Sequence, residues 1–194
     1  MLSKMREPTN GLTHFFAGIV AIGGLAALLF VGRGDAGKQL SLLVYGSSLL
    51  LMFFASSAYH LIQARPERIL ALRKLDHAAI YILIAGTYTP ICFNQFTGFW
   101  RWGVLAIVWS LAVAGIITKM LIINPPRWLS AGVYLVMGWL SLLAMREMLR
   151  ALPVGALVWL LVGGVFFTIG AVVYITKIMD FAPGAFGFHE VWHI

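Results

Sequence analysis

Charge is the scarcest ingredient of this chain. Asp, Glu, Lys and Arg make up 11% of its 194 residues, and 61% are hydrophobic. Soluble domains carry roughly 25% charged residues. With a mean hydropathy of +0.91, that shortage excludes a freely soluble globular protein and predicts an integral membrane protein. Cysteine is nearly missing. Cys92 alone rules out an internal disulfide and any zinc cluster built from cysteines. Acidic residues number seven against 14 Lys and Arg, for a formal charge of +7. In so apolar a chain this basic excess marks cytoplasmic loops, and no nucleic-acid partner is expected from it. There is no low-complexity tract or internal repeat, and the length suits one bundle without a separate soluble domain. A cleavable signal peptide is not expected. The first apolar run, about Leu12–Gly32, exceeds the roughly 7–15 residues of a signal-peptide core.

What the chain has in abundance is apolar runs near the roughly 20 residues that cross a bilayer. They lie at about 12–32, 39–62, 75–96, 102–123, 128–145 and 154–176, and a seventh begins near Phe186. The expected fold is an all-α membrane protein, a single seven-transmembrane helix bundle over 1–194 with its last helix incomplete. Connectors are short and carry breaker residues: "GRGDAGK", "QARPERILALRK", "NPPR", "LPVG" and "DFAPGAFG". Orientation follows from Lys and Arg. The amino terminus and the connectors after spans two, four and six hold nine: Lys4, Arg6, Arg65, Arg68, Arg73, Lys74, Lys119, Arg127 and Lys177. The opposite side holds five: Arg33, Lys38, Arg101, Arg146 and Arg150. The amino terminus is therefore expected in the cytoplasm.

Most of the remaining features read as packing. Trp100, Trp102, Trp128 and Trp192 are expected as interfacial anchors, and Lys119 and Lys177 as snorkelling span ends. The glycines of "GIVAIGG" and "LVGGVFFTIG" suit close helix contacts. Pro90 should kink span three, with Thr87 or Thr89 satisfying freed carbonyls.

The polar residues are a different matter, because the topology gathers them at one depth. His60 closes span two, Asp76 opens span three, His189 and His193 open span seven, and His14 lies just inside span one. With that orientation, all five are expected in the cytoplasmic leaflet. Polar groups at membrane depth are costly unless satisfied, so each is a functional candidate. On a helix, positions i and i+4 share a face, so His189 and His193 can hold one ion, as zinc helices do. Ser56 and His60 repeat that spacing. His60 is the natural third ligand from another helix. Three imidazoles leave one tetrahedral position for water, as in a catalytic zinc site, and zinc lowers the pKa of such a water to roughly 7.

Each residue also has a plainer reading. The histidines could be solvated at the interface, and Asp76 could pair with Arg73 or Lys74 for roughly 0–1 kcal/mol. Ser56 and Ser57 could simply let helices approach. It is the coincidence at one leaflet that favours a metal. "HEVWH" literally satisfies HExxH, the zinc protease pattern with Glu as general base. That pattern needs a downstream ligand, and the chain stops one residue later; upstream, the nearest acid is Asp180, which does not suit the role. Glu190 therefore reads as a carboxylate beside the site.

Taken together, "EPTNGLTHFFAG", "SSAYH", "KLDHAAIYILIAGTYTP" and "GFHEVWH" resemble the hemolysin III family. That family belongs to the wider progestin and adiponectin receptor group and is similar to the alkaline ceramidases. The resemblance runs along the whole chain. It implies a seven-helix fold with a cytoplasmic amino terminus, in a bacterial plasma (inner) membrane. It also implies one zinc ion held by His60, His189 and His193. Asp76 would position or deprotonate water, and Ser56 would hydrogen-bond that water or a substrate carbonyl. His14 receives no role. Members continue for about twenty further residues to complete the last span, so the chain is expected to be cut short within it.

Three functions compete. One is a zinc-dependent hydrolase of a lipid amide or ester, which needs an activated water, a nearby carboxylate and carbonyl polarisation. Another is a sensor or receptor of membrane-lipid homeostasis in which zinc is structural. The last is a pore-forming cytolysin, which needs rings of charge or polar stripes through several spans. The span middles here are nearly uncharged. Membrane lipids are the expected partners, as substrate or ligand.

Overall fold

Proline opens α1 (Pro8–Val31), at a position where its missing N–H is no loss and its φ is preset for a helix. Asp35 caps α2 (Ala36–Leu61) by accepting the Lys38 N–H at 2.9 Å. A second proline opens α3 (Pro66–Gln95). The order continues with α4 (Gly98–Leu121), α5 (Arg127–Trp139), a 3₁₀ turn (Leu140–Ala144), α6 (Met145–Ala151), α7 (Val154–Thr176) and α8 (Phe188–His193). This computed structural model describes residues 5–122, 126–181 and 187–193. Lys4, Ile123, Asn124 and Pro125 of the fourth connector, the expected last-span start at Phe186 and the final residue lie outside the described residues.

The chain is an all-α membrane protein. Among the described residues, five helical stretches are long and apolar enough to cross a bilayer: α1, α2, α4, the 127–151 stretch of α5 to α6, and α7. α3 is longer still, at 30 residues, but its first turns carry Glu67, Arg68, Arg73, Lys74 and Asp76. The sequence places the start of this span near Leu75, whereas the helix begins at Pro66. Charge prevents burial in lipid, not helix formation, so the helix runs on through the interface. The fifth span differs too. It runs to Ala151 and breaks into 3₁₀ geometry at Leu140–Ala144.

α3 is the axis of the bundle. Tyr81, Ile84, Ala85, Tyr88 and Cys92 on it pack against Val108 and Ala112 of α4 and Tyr134 and Met137 of α5. The Tyr88 hydroxyl lies 2.8 Å from the carbonyl oxygens of Met137 and Gly138 and accepts the Ser141 N–H at 2.8 Å. It thereby satisfies backbone groups where α5 gives way to the 3₁₀ turn. Gly86 lets α2 and α3 touch, since a Cβ there would strike the Ser48 side chain. Gly23, Gly24 and Gly163 have nothing within 4 Å of such a Cβ. Three of the glycines read as contact residues thus face outward, toward where lipid would lie. Thr87 and Thr89 donate to Ile84 and Ala85 carbonyls at 2.6 and 3.0 Å, not to Gly86, whose carbonyl Pro90 leaves unbonded. Lys119 is buried rather than snorkelling and donates to Ser130 Oγ at 2.8 Å. Large apolar side chains point outward elsewhere: Trp159 and Val154 are each 75% exposed, as a lipid-facing surface requires.

Candidate metal centre

α2 ends at Leu61, so the His60 carbonyl has no partner within its own helix. The segment before α1 supplies one. The Glu7 N–H donates to the His60 carbonyl at 2.9 Å, and the Glu7 carboxylate sits 2.5 Å from His60 Nδ1. One residue thus grips both the backbone and the ring of His60. The hydrogen bond from His60 holds the Glu7 carboxyl low, at about 2, against the opposing effect of burial. Glu7 is therefore an acceptor, and His60 Nδ1 carries the proton. His60 Nε2 is left with its lone pair, buried and without a hydrogen-bond partner among the described residues. His60 is 1% exposed, and an unpaired buried polar atom costs about 1–3 kcal/mol.

α8 is held against the bundle from two sides. Glu190 accepts the Gly187 N–H at 2.7 Å, which caps the short helix, and the Asn10 amide of α1 at 3.0 Å. On the other side the Trp192 ring lies 5.2 Å from Tyr174 and 6.0 Å from Phe167 of α7, where Gly170 leaves room for it. Trp192, expected as an interfacial anchor, is a packing residue. So docked, α8 turns His189 and His193 toward His60. Their Nε2 atoms are 3.3 Å apart, and their rings lie 5.3 and 4.6 Å from the His60 ring.

One ring nitrogen from each of His60, His189 and His193 falls within 4.8 Å of the others. Zinc takes imidazole nitrogens at about 2.0–2.1 Å in tetrahedral array, which sets neighbouring nitrogens about 3.3–3.4 Å apart. The His189–His193 pair already has that spacing, and His60 supplies the third nitrogen nearby. Three neutral imidazoles, one with a stranded lone pair, fit zinc.

Asp76 and Ser56 lie at the same end. The Asp76 carboxylate is 13% exposed and 3.8 Å from His77 Nδ1, within electrostatic reach of His60 and Ser56. Lys74, one of the cations offered to it by sequence, instead donates to the Met120 carbonyl at 2.7 Å. Ser56 is 1% exposed, and its Oγ has no hydrogen-bond partner among the described residues. His14 reaches the cluster from α1, with Nε2 2.9 Å from His193 Nδ1 and 3.2 Å from the His193 carbonyl oxygen.

Sequence reasoning missed Glu7 and Asn10. A signal for them existed. Glu7, Asn10 and His14 are spaced three and four apart, one polar face at the start of an otherwise apolar helix. Glu190, which fits HExxH on paper, accepts from the Asn10 amide with one carboxylate oxygen and from the Gly187 N–H with the other.

Comparison with known proteins gives the family. A family model described as haemolysin-III related matches residues 2–194. The chain is 34% identical to the hemolysin-3 homolog of Bacillus subtilis (strain 168), covering 100% of this chain and 88% of that one. It is 33% identical to hemolysin-3 of Bacillus cereus, covering 97% and 84%. With five helices among the described residues long and apolar enough to cross a bilayer, and a match along nearly its whole length, this multi-pass integral membrane protein belongs to the haemolysin III-related family.

Proposed function

We propose that the protein binds zinc through His60, His189 and His193 and hydrolyses an amide or ester bond of a membrane lipid. The observation that carries the zinc reading is the buried, unpartnered Nε2 of His60 beside the α8 histidine pair. A buried lone pair aimed at two further imidazoles is costly without a ligand and favourable with one. Zinc held there would supply Lewis-acid polarisation of a carbonyl and a more acidic water. The hydrolytic reading rests on Asp76 and Ser56. Asp76 is a mostly buried carboxylate at the same end, able to take a proton from an attacking water and return it to the leaving group. The free Ser56 hydroxyl can donate to a carbonyl oxygen or orient the water. Apolar outer faces suit a substrate that arrives sideways from the bilayer. A bacterial inner membrane is the proposed location, with the site in the cytoplasmic leaflet.

A sensor of membrane-lipid state with structural zinc is the second reading. The ties from Glu7 to His60 and from Asn10 to Glu190 favour it, because they make the site a junction of α1, α2 and α8. The relatives' name invokes cytolysis, but the buried histidines and Asn10 gather at one end, which is poor material for a conducting path.

Elemental analysis of the purified protein, His60→Ala and His193→Ala, with turnover of ceramides and acyl esters, separates these readings. Zinc in the wild type only, with turnover lost in Asp76→Ala, is the expected result. Zinc without turnover selects the sensor. Ion flux from liposomes that persists after zinc removal selects the pore, and a wild type without zinc rejects the metal reading.

A further inference from the structure

We infer that Glu7 is a positioning residue that sets the ring tautomer of His60, so that His60 presents Nε2 to His189 and His193. This rests on the zinc reading above. A neutral imidazole carries one N–H, and whichever nitrogen holds it cannot ligate a metal. For His60 the choice is made by Glu7. Its carboxylate, 2.5 Å from Nδ1, can only accept, so the proton sits on Nδ1 and the lone pair on Nε2. The backbone bond from the Glu7 N–H to the His60 carbonyl fixes the distance at which this happens. A flexible glutamate elsewhere would not have that constraint.

His14 does not play the same part for His193. Its Nε2 lies 2.9 Å from His193 Nδ1 and also 3.2 Å from the His193 carbonyl oxygen. That oxygen can only accept, so it calls for a proton on His14 Nε2, and a nitrogen that carries a proton has no lone pair for a proton on His193 Nδ1. The His14 contact therefore does not set the His193 tautomer, whereas the Glu7 carboxylate leaves His60 a single choice.

The test is zinc affinity by competition with a chelating indicator, together with ¹⁵N spectra of labelled histidines in the metal-free protein. Glu7→Ala should weaken zinc about 10–100-fold, the usual cost of losing such a partner. Glu7→Gln keeps an acceptor oxygen and should recover most of that loss. In metal-free Glu7→Ala, the His60 signals should move from the Nδ1–H pattern toward the Nε2–H pattern, a change that mere loss of packing does not produce. Wild-type affinity in Glu7→Ala, or an unmoved His60 tautomer, overturns the inference while leaving zinc binding intact. A wild type that binds no zinc rejects the underlying reading and this inference with it.

Discussion

Removing the His60 imidazole should abolish most of the stabilisation that zinc confers. His60 is on α2, and its two partners are on α8, 129 and 133 positions later (189 − 60 and 193 − 60). An ion bound by all three therefore ties the last described helix to the second and binds the folded state selectively. At free zinc equal to about 100 times its Kd, such binding stabilises by about 2.7 kcal/mol. For a chain of this size, 1 kcal/mol moves Tm by about 2–4 °C, so zinc should raise Tm by about 5–11 °C over a chelator control. Loss of a residue that only orients a ligand already weakens metal binding about 10–100-fold, and loss of a ligand should cost at least the upper figure. At the same free zinc His60→Ala then sits near its own Kd or above it, and the gain shrinks to about 0.4 kcal/mol or less. Its zinc-dependent rise should be no more than about 1–2 °C. The assay is a thermal melt in detergent micelles with and without zinc, for the wild type and His60→Ala. An equal rise in both would refute the three-imidazole argument, because the ion would then be bound somewhere that His60 does not reach.

Zinc should also be lost on acidification. Protons compete with the ion for all three ring nitrogens, so affinity falls on acidification more steeply than for a single competing proton; an indicator titration from neutral pH downward measures it. Asn10→Ala removes the α1 donor to Glu190 and should cost about 1–3 kcal/mol, seen as a lower Tm and faster proteolysis between α7 and α8. Gly86→Ala drives a Cβ into Ser48 and should destabilise by about 1–3 kcal/mol. Adding Ser48→Gly should restore the melt, whereas failure to restore it would place the clash elsewhere.

Helix spans were legible because crossing a bilayer demands a length of apolar residues, and that demand is local. The limits of α3 and the break after α5 were not. At Pro66 the charges stop the apolar run but leave the helix intact. At Leu140 the 3₁₀ turn answers to the Tyr88 hydroxyl, which comes from a different helix. Glycines show the same limit. Gly86 and Gly23 look alike in sequence, yet one meets a neighbour and the other meets nothing.

The candidate site divides in the same way. The spacing of His189 and His193 is a property of one helix, and the shared depth of His14, His60 and Asp76 follows from counting residues across spans. What the amino-acid sequence determined alone was therefore the membrane class, the spans and a set of polar residues assigned to one leaflet. Which of them meet was decided only by tertiary structure, since α8 must dock on α1 and α7 before its imidazoles can face α2. The Glu7 grip on His60 joins residues 53 positions apart, and no periodicity within either segment encodes it. Depth is fixed by transfer of single side chains between water and lipid, whereas rotation and contact are fixed by helices packing on one another.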